Sequence, residues 1–116
     1  MDTASEGSLL RIFIGESDRW QGKPLHLAIV EKARESGLAG ATVLRGIEGY
    51  GAKSVIHATR LLDLSTDLPI VVEIVDREEK VMAFLETAEE MIEDGLVTVE
   101  RVRVVFYRHE RGSGGS

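Results

Sequence analysis

GATVLRGIEGYGAKSVIHATRLLDLSTDLPIVVEIVD, residues 40–76, decides how this chain folds. It begins and ends on β-forming runs, ATVLRGI from residue 41 and PIVVEIVD over 69–76. The second run carries Ile70, Val71, Val72, Ile74 and Val75. Such side chains suit a pleated, packed surface. Pro69 is tolerated at its head, where a strand residue need not donate to the ladder. Between the runs lies a connection, residues 48–68, that neither strand explains. Neighbouring elements in compact domains are usually joined by about 4–6 residues, and a much longer join is functional or disordered.

The flanking segments complete the pattern. On the N-terminal side, Leu9–Ile14 (LLRIFI) predicts a buried strand that stops at Gly15. GESDRWQGKP then reads as a turn-rich connection. Pro24 suits a first helical turn, because its missing N–H is one a helix start leaves unpaired anyway. From there to Ser36, Leu25, Ala28, Ile29 and Ala33 recur on one helical face, and Gly37 supplies the stop. On the C-terminal side, Asp76 followed by Glu79 resembles a capping box. Val81, Phe84, Leu85, Ala88, Met91 and Ile92 then line one face of a second helix, closed by Gly95. The last strand, VTVERVRVVFY, changes phase at Glu100–Arg101, which predicts either a bulge or a later strand start.

The order is β-α-β-β-α-β, the split β-α-β arrangement of ferredoxin-like α+β folds. It implies a four-stranded antiparallel sheet with both helices on one face. The third strand is apolar on both sides, so the uncovered face predicts oligomerisation.

Bulk properties narrow the function. The 116 residues make one domain, with 43% hydrophobic and 29% charged residues in the ordinary globular range. Residues 1–7 and 109–116 are expected to be flexible, around a domain spanning 8–108. With no cysteine there is no disulfide framework, thiolate metal site or cysteine nucleophile. His26, His57 and His109 lack metal-ligand spacing, so no metal is expected. A net charge of -6 argues against nucleic-acid binding, which relies on many phosphate contacts from Lys and Arg. No apolar run is long enough to span a membrane, and MDTASEGS lacks the regions of a secretory signal. A cytoplasmic location is expected.

Several residues could hold a small anion. Gly46, Gly49 and Gly51 at the base of the long connection either let a backbone approach a phosphate or make a twist leaving the strand. Arg45 could donate to a phosphate or sit in a surface ion pair. Arg101 and Arg103, two apart, point to one side of the last strand and could bind an effector or pair with acidic neighbours. Lys53, His57 and Arg60 add positive character along the connection. Asp18 is read as satisfying turn backbone, and Trp20 as cover for the core edge.

The element order, the long connection, and the segments GATVLRGIEGYG and LPIVVEIVD resemble the PII-like proteins. GESDRWQGKPLHLAIVEKARESGLAGATVLRGIEGYGA is similar to their small, functionally uncharacterised bacterial branch. The resemblance covers residues 8–106. It implies a non-enzymatic homotrimer that binds a small effector, usually an adenine nucleotide, in the clefts between subunits. It also implies that residues 48–68 act as a T-loop signalling to a partner such as a transporter or enzyme, with Tyr50, His57 and Arg60 on that loop. EDGLVTVERV departs from the glycine- and lysine-rich phosphate loop of the nucleotide-binding members, and the loop lacks their modified tyrosine sequence. Two rival expectations stand beside this one. The first is a small ferredoxin-like enzyme using Glu16, His57 and Arg45. The second is a structural oligomer without an effector.

Overall fold

A computed structural model describes residues 5–51 and 67–108. Its strands and helices are β1 (Ser5–Gly15), β2 (Arg19–Trp20), β3 (Lys23–Pro24), α1 (Leu25–Glu35), β4 (Thr42–Arg45), β5 (Pro69–Asp76), α2 (Glu78–Met91) and β6 (Leu96–Val104). The main sheet runs β4-β5-β1-β6, and every neighbouring pair is antiparallel. Apart from the two-residue strands β2 and β3, this is the expected ferredoxin-like order. The central strands are β1 and β5, whose apolar runs allow burial on both sides.

Both helical faces are as expected. Leu25, Ala28, Ile29 and Ala33 are the buried residues of α1; Val81, Phe84, Ala88 and Met91 are those of α2. They pack on Leu10, Ile12, Ile14, Ile70, Val72 and Ile74, the alternate residues of one face of β1 and β5. Trp20 packs at the edge of this core. Gly37 closes α1 at a φ of 81°, where a side chain would be strained. Gln21 and Gly22, both at positive φ, form the two-residue turn between β2 and β3.

Three expectations are corrected. β1 starts at Ser5 rather than Leu9, because Ser5–Ser8 pair with Arg101–Val104 on the long β6. Asp76 is not the cap of α2; Arg77 occupies that position, without a side-chain capping bond. Asp76 is instead buried at the end of β5, where it accepts the Ala39 N–H at 2.9 Å and the Arg77 N–H at 2.7 Å. Its carboxylate is more useful tying the α1–β4 connection to the sheet, since a buried acceptor must be satisfied. Finally, β6 pairs with β1 in one unbroken register from Phe13↔Leu96 to Ser5↔Val104, with no bulge. The phase change is real but has another cause. Val97 and Val99 lie opposite Ile12 and Leu10 on the helix-covered face, whereas Val102 and Val104 lie on the other face.

That other face carries Leu9, Phe13, Leu44, Val71, Val75 and Leu96, with no element of the described chain covering it. Arg11 lies at its centre. Its Nε donates to Glu73 Oε2 at 3.0 Å and its Nη1 to Glu100 Oε1 at 3.1 Å. The Glu73 hydrogen bond is the main cause that holds the Arg11 pKa above its ordinary value. No helix among the described residues is long and apolar enough to cross a membrane.

Candidate functional site: a cleft at the strand ends

Antiparallel register brings the start of the long connection to the end of the sheet. Arg45 pairs with Ile70, Gly15 with Pro69, and Phe13 with Leu96, so the C-terminal ends of β1 and β4 meet the starts of β5 and β6. A cleft of about 320 Å³ opens there. Phe13, Ile14, Pro69 and Leu96 supply apolar wall, Gly15 and Gly95 leave room, Tyr50 and Gly51 lie at the connection side, and Asp18, Asp67 and Asp94 bring carboxylates.

The turn after β1 is tied by two of these acids, Asp18 and Asp67. Gly15 N–H donates to Asp18 Oδ2 and Ser17 N–H to Asp67 Oδ1, each at 3.0 Å. The local role expected of Asp18 is therefore observed. Tight packing continues at the base of the connection. A Cβ on Gly46 would stand 2.7 Å from Pro69 Cγ, and one on Gly49 would stand 3.2 Å from the same atom. Gly46 N–H also donates to the Pro69 carbonyl at 2.8 Å. These two glycines let the departing chain lie on the proline ring. Gly51 meets no such neighbour.

The basic candidates do not converge within one chain. Arg45 pairs with Glu16, Nε to Oε2 at 2.9 Å, at the cleft end of the sheet. Arg101 and Arg103 pair in register with Ser8 and Glu6, toward the opposite end, and Arg101 Nε stands 3.8 Å from Glu6 Oε1. The offset from the Arg45 level is six and eight residues along the sheet, roughly 20 to 26 Å at about 3.3 Å per residue. Lys53, His57 and Arg60 lie outside the described residues, as does most of the 48–68 loop. Of the acid–base set weighed for an enzyme, Glu16 and Arg45 are ion-paired with each other. Among the described residues, no group of three His, Asp or Glu side chains is placed to hold a metal.

The cleft itself was not legible in the sequence. Phe13, Asp67, Pro69, Asp94 and Leu96 come from separate segments of the chain. Only the pairing of strand ends collects them.

A sequence model of the family DUF190 (Uncharacterized ACR, COG1993) matches residues 7–104. A UPF0166 protein of Aquifex aeolicus is 46% identical over 98 residues, covering 84% of this chain and 92% of that protein. A UPF0166 protein of Methanocaldococcus jannaschii, MJ1524, is 33% identical over 95 residues, covering 81% of this chain and 87% of its own length. Among solved structures, that of CPII from Thiomonas intermedia K12, bound to ADP and bicarbonate, superposes with a TM-score of 0.64 at 20% identity. The match covers 90% of this chain and 94% of that one.

Proposed function

We propose a regulatory function from one premise: this chain belongs to the DUF190 family and has the PII-like fold. In this reading it is a non-enzymatic, cytoplasmic signalling protein that assembles as a homotrimer. It binds a small anionic effector, with an adenine nucleotide as first choice, and acts on a partner transporter or enzyme through residues 48–68. An effector can drive such a switch only by binding one loop conformation better than another.

The observation that carries the reading is the place where the loop leaves the sheet. β4 ends at Arg45, and Gly46 and Gly49 lie on Pro69 at the side of an open cleft. A ligand at the cleft mouth would touch the root of the loop. The solved structure of CPII with ADP supports a nucleotide as the ligand class. Arg101 and Arg103 lie too far from Arg45 to share a ligand within one chain, so the anion site is read as lying between copies. The uncovered sheet face supports self-association.

Native mass spectrometry of the purified protein, alone and with ADP, ATP, AMP and cyclic dinucleotides, tests this. The expected result is a trimer that retains nucleotide and loses it on Arg45→Ala or Arg103→Ala. Trimers that bind none of the panel would remove the nucleotide role, and monomers would remove the intersubunit site.

A further inference from the structure

The regulatory reading uses the uncovered sheet face only as an apolar surface. Strand register gives that face a finer pattern. Leu44, Val71, Phe13 and Leu96 stand side by side across β4, β5, β1 and β6, a wholly apolar row. The next row is Thr42, Glu73, Arg11 and Thr98, polar on all four strands. Glu100 joins it from the following level of β6, where its neighbours across the sheet are Leu9 and Val75. A polar belt thus crosses a face that is otherwise apolar enough to be buried.

The belt is only partly satisfied within one chain. Arg11 gives Nε to Glu73 Oε2 and Nη1 to Glu100 Oε1, and the three side chains keep 36%, 29% and 59% of their surface in water. Arg11 Nη2, Glu73 Oε1, Glu100 Oε2 and the hydroxyls of Thr42 and Thr98 have no hydrogen-bond partner among the described residues. A second chain laid on this face takes those groups out of water, and any that stay unpaired carry the full desolvation penalty. The belt holds free donors and free acceptors together, so an identical belt can satisfy it. A plain apolar sheet cannot.

We propose that this belt selects the partner and the register of self-association. Arg11 of one copy donates its free Nη2 to a carboxylate of the next copy's belt, so only a chain carrying the same row seats without stranding a buried charge. The inference rests on the self-association in the regulatory reading and adds which residues choose among partners. The apolar rows supply affinity and the belt supplies discrimination, because a charge pair fixes alignment even where it adds little net binding.

A mixing experiment on the full chain tests this. Arg11→Met/Glu73→Leu/Glu100→Leu makes the centre of the belt apolar without touching the helix-covered core. Isotope-labelled wild type and the triple variant are unfolded together in urea, refolded, and weighed by native mass spectrometry; labelled and unlabelled wild type form the control pair. The triple variant is expected to assemble with itself at least as tightly as wild type. Mixed oligomers with wild type should fall below about a tenth of the binomial proportion seen in the control. Glu73→Gln/Glu100→Gln keeps side-chain shape but strips Arg11 of both carboxylates, and should weaken self-association by about tenfold or more. If the triple variant does not fold, the glutamine variant decides. Binomial mixing, or a glutamine variant that assembles like wild type, would overturn the role of the belt while leaving the trimer standing. A triple variant that folds but stays monomeric would make the belt a source of affinity and also overturn the selection. Wild-type monomers at every concentration would overturn the self-association and the selection together.

Discussion

Gly95→Ala tests how tightly the floor of the cleft is packed. Gly95 lies between the end of α2 and the start of β6. A Cβ there would stand 2.7 Å from the Phe13 carbonyl oxygen, 3.2 Å from Ile92 Cγ2 and 3.3 Å from Ile14 Cγ2. Carbon atoms pack best at about 3.5–4.0 Å. The closest obstacle is a backbone atom of β1, a strand held in register by pairing on both sides, so it cannot swing away like a side-chain tip. The turn must therefore move, and overpacking of this kind costs about 1–3 kcal/mol. Alanine recovers about 0.4–1 kcal/mol by restricting the unfolded chain. The net expectation is a loss of about 1–2 kcal/mol. With a urea slope of about 1–3 kcal/mol per molar, the midpoint falls by roughly 0.3–2 M. Gly40→Ala is the matched control. No atom lies within 4 Å of its Cβ position and its φ is not in the left-handed region, so only the unfolded-state gain applies. Equilibrium urea unfolding followed by fluorescence of Trp20, the single tryptophan, reads both at one fixed protein concentration. A midpoint for Gly95→Ala equal to or above that of Gly40→Ala would refute the steric argument.

Other perturbations separate packing from function. Phe84→Ala removes a ring that is 2% exposed beneath α2 and is expected to cost about 3–5 kcal/mol in the same assay. Arg45→Ala breaks a partly exposed ion pair with Glu16, so stability should change by only about 0–1 kcal/mol while ADP retention in calorimetry is lost. Equal loss of stability and binding would make Arg45 a structural residue. Gly46→Ala forces the chain off the Pro69 ring, where a Cβ would stand 2.7 Å from Cγ. Limited proteolysis should then cut faster within residues 48–68, and unchanged cleavage would show that the contact does not restrain the loop. The Arg11 pKa is raised in the folded state. A base whose pKa rises on folding contributes stability at every pH below its unfolded value and loses it only as pH climbs through the folded value. Any stability lost in Arg11→Met should therefore be the same from about pH 6 to about pH 10, well below the range where arginine titrates. A step within that window, in melting temperature against pH, would refute this assignment of the stability to the arginine.

Local periodicity carried much of the fold. The apolar spacing that begins at Leu25 and the one that begins at Val81 each marked a helix face, because 3.6 residues per turn puts those positions on one side whatever lies nearby. PIVVEIVD coincides with β5 from Pro69 to Asp76. Gly37 ended α1 for a conformational reason that also holds locally. Sequence reading failed where two local rules compete or where distant segments meet. Asp76 suits a helix cap by pattern, but its carboxylate is taken by Ala39, which the α1–β4 connection brings to it. The phase change in β6 mimicked a bulge, yet the strand is regular. Its apolar side changes because Val97 and Val99 face the helix-covered core and Val102 and Val104 face the uncovered side.

The site divides in the same way. Residue types and the long connection were readable as a candidate anion site at Arg45, Gly46, Gly49, Gly51, Arg101 and Arg103, with Lys53, which lies outside the described residues, as a further member. Their separation was not, because it depends on strand register. The tertiary structure put Arg45 at one end of the sheet and Arg101 and Arg103 toward the other, and it turned Gly46 and Gly49 into packing contacts with Pro69. It also gathered Asp18, Asp67 and Asp94 into a cleft, although they come from three separate segments. A sequence sets which face of an element is apolar through spacing along one chain. Which strand ends meet, and what charge they collect, is decided only when antiparallel pairing brings residues from separate segments side by side.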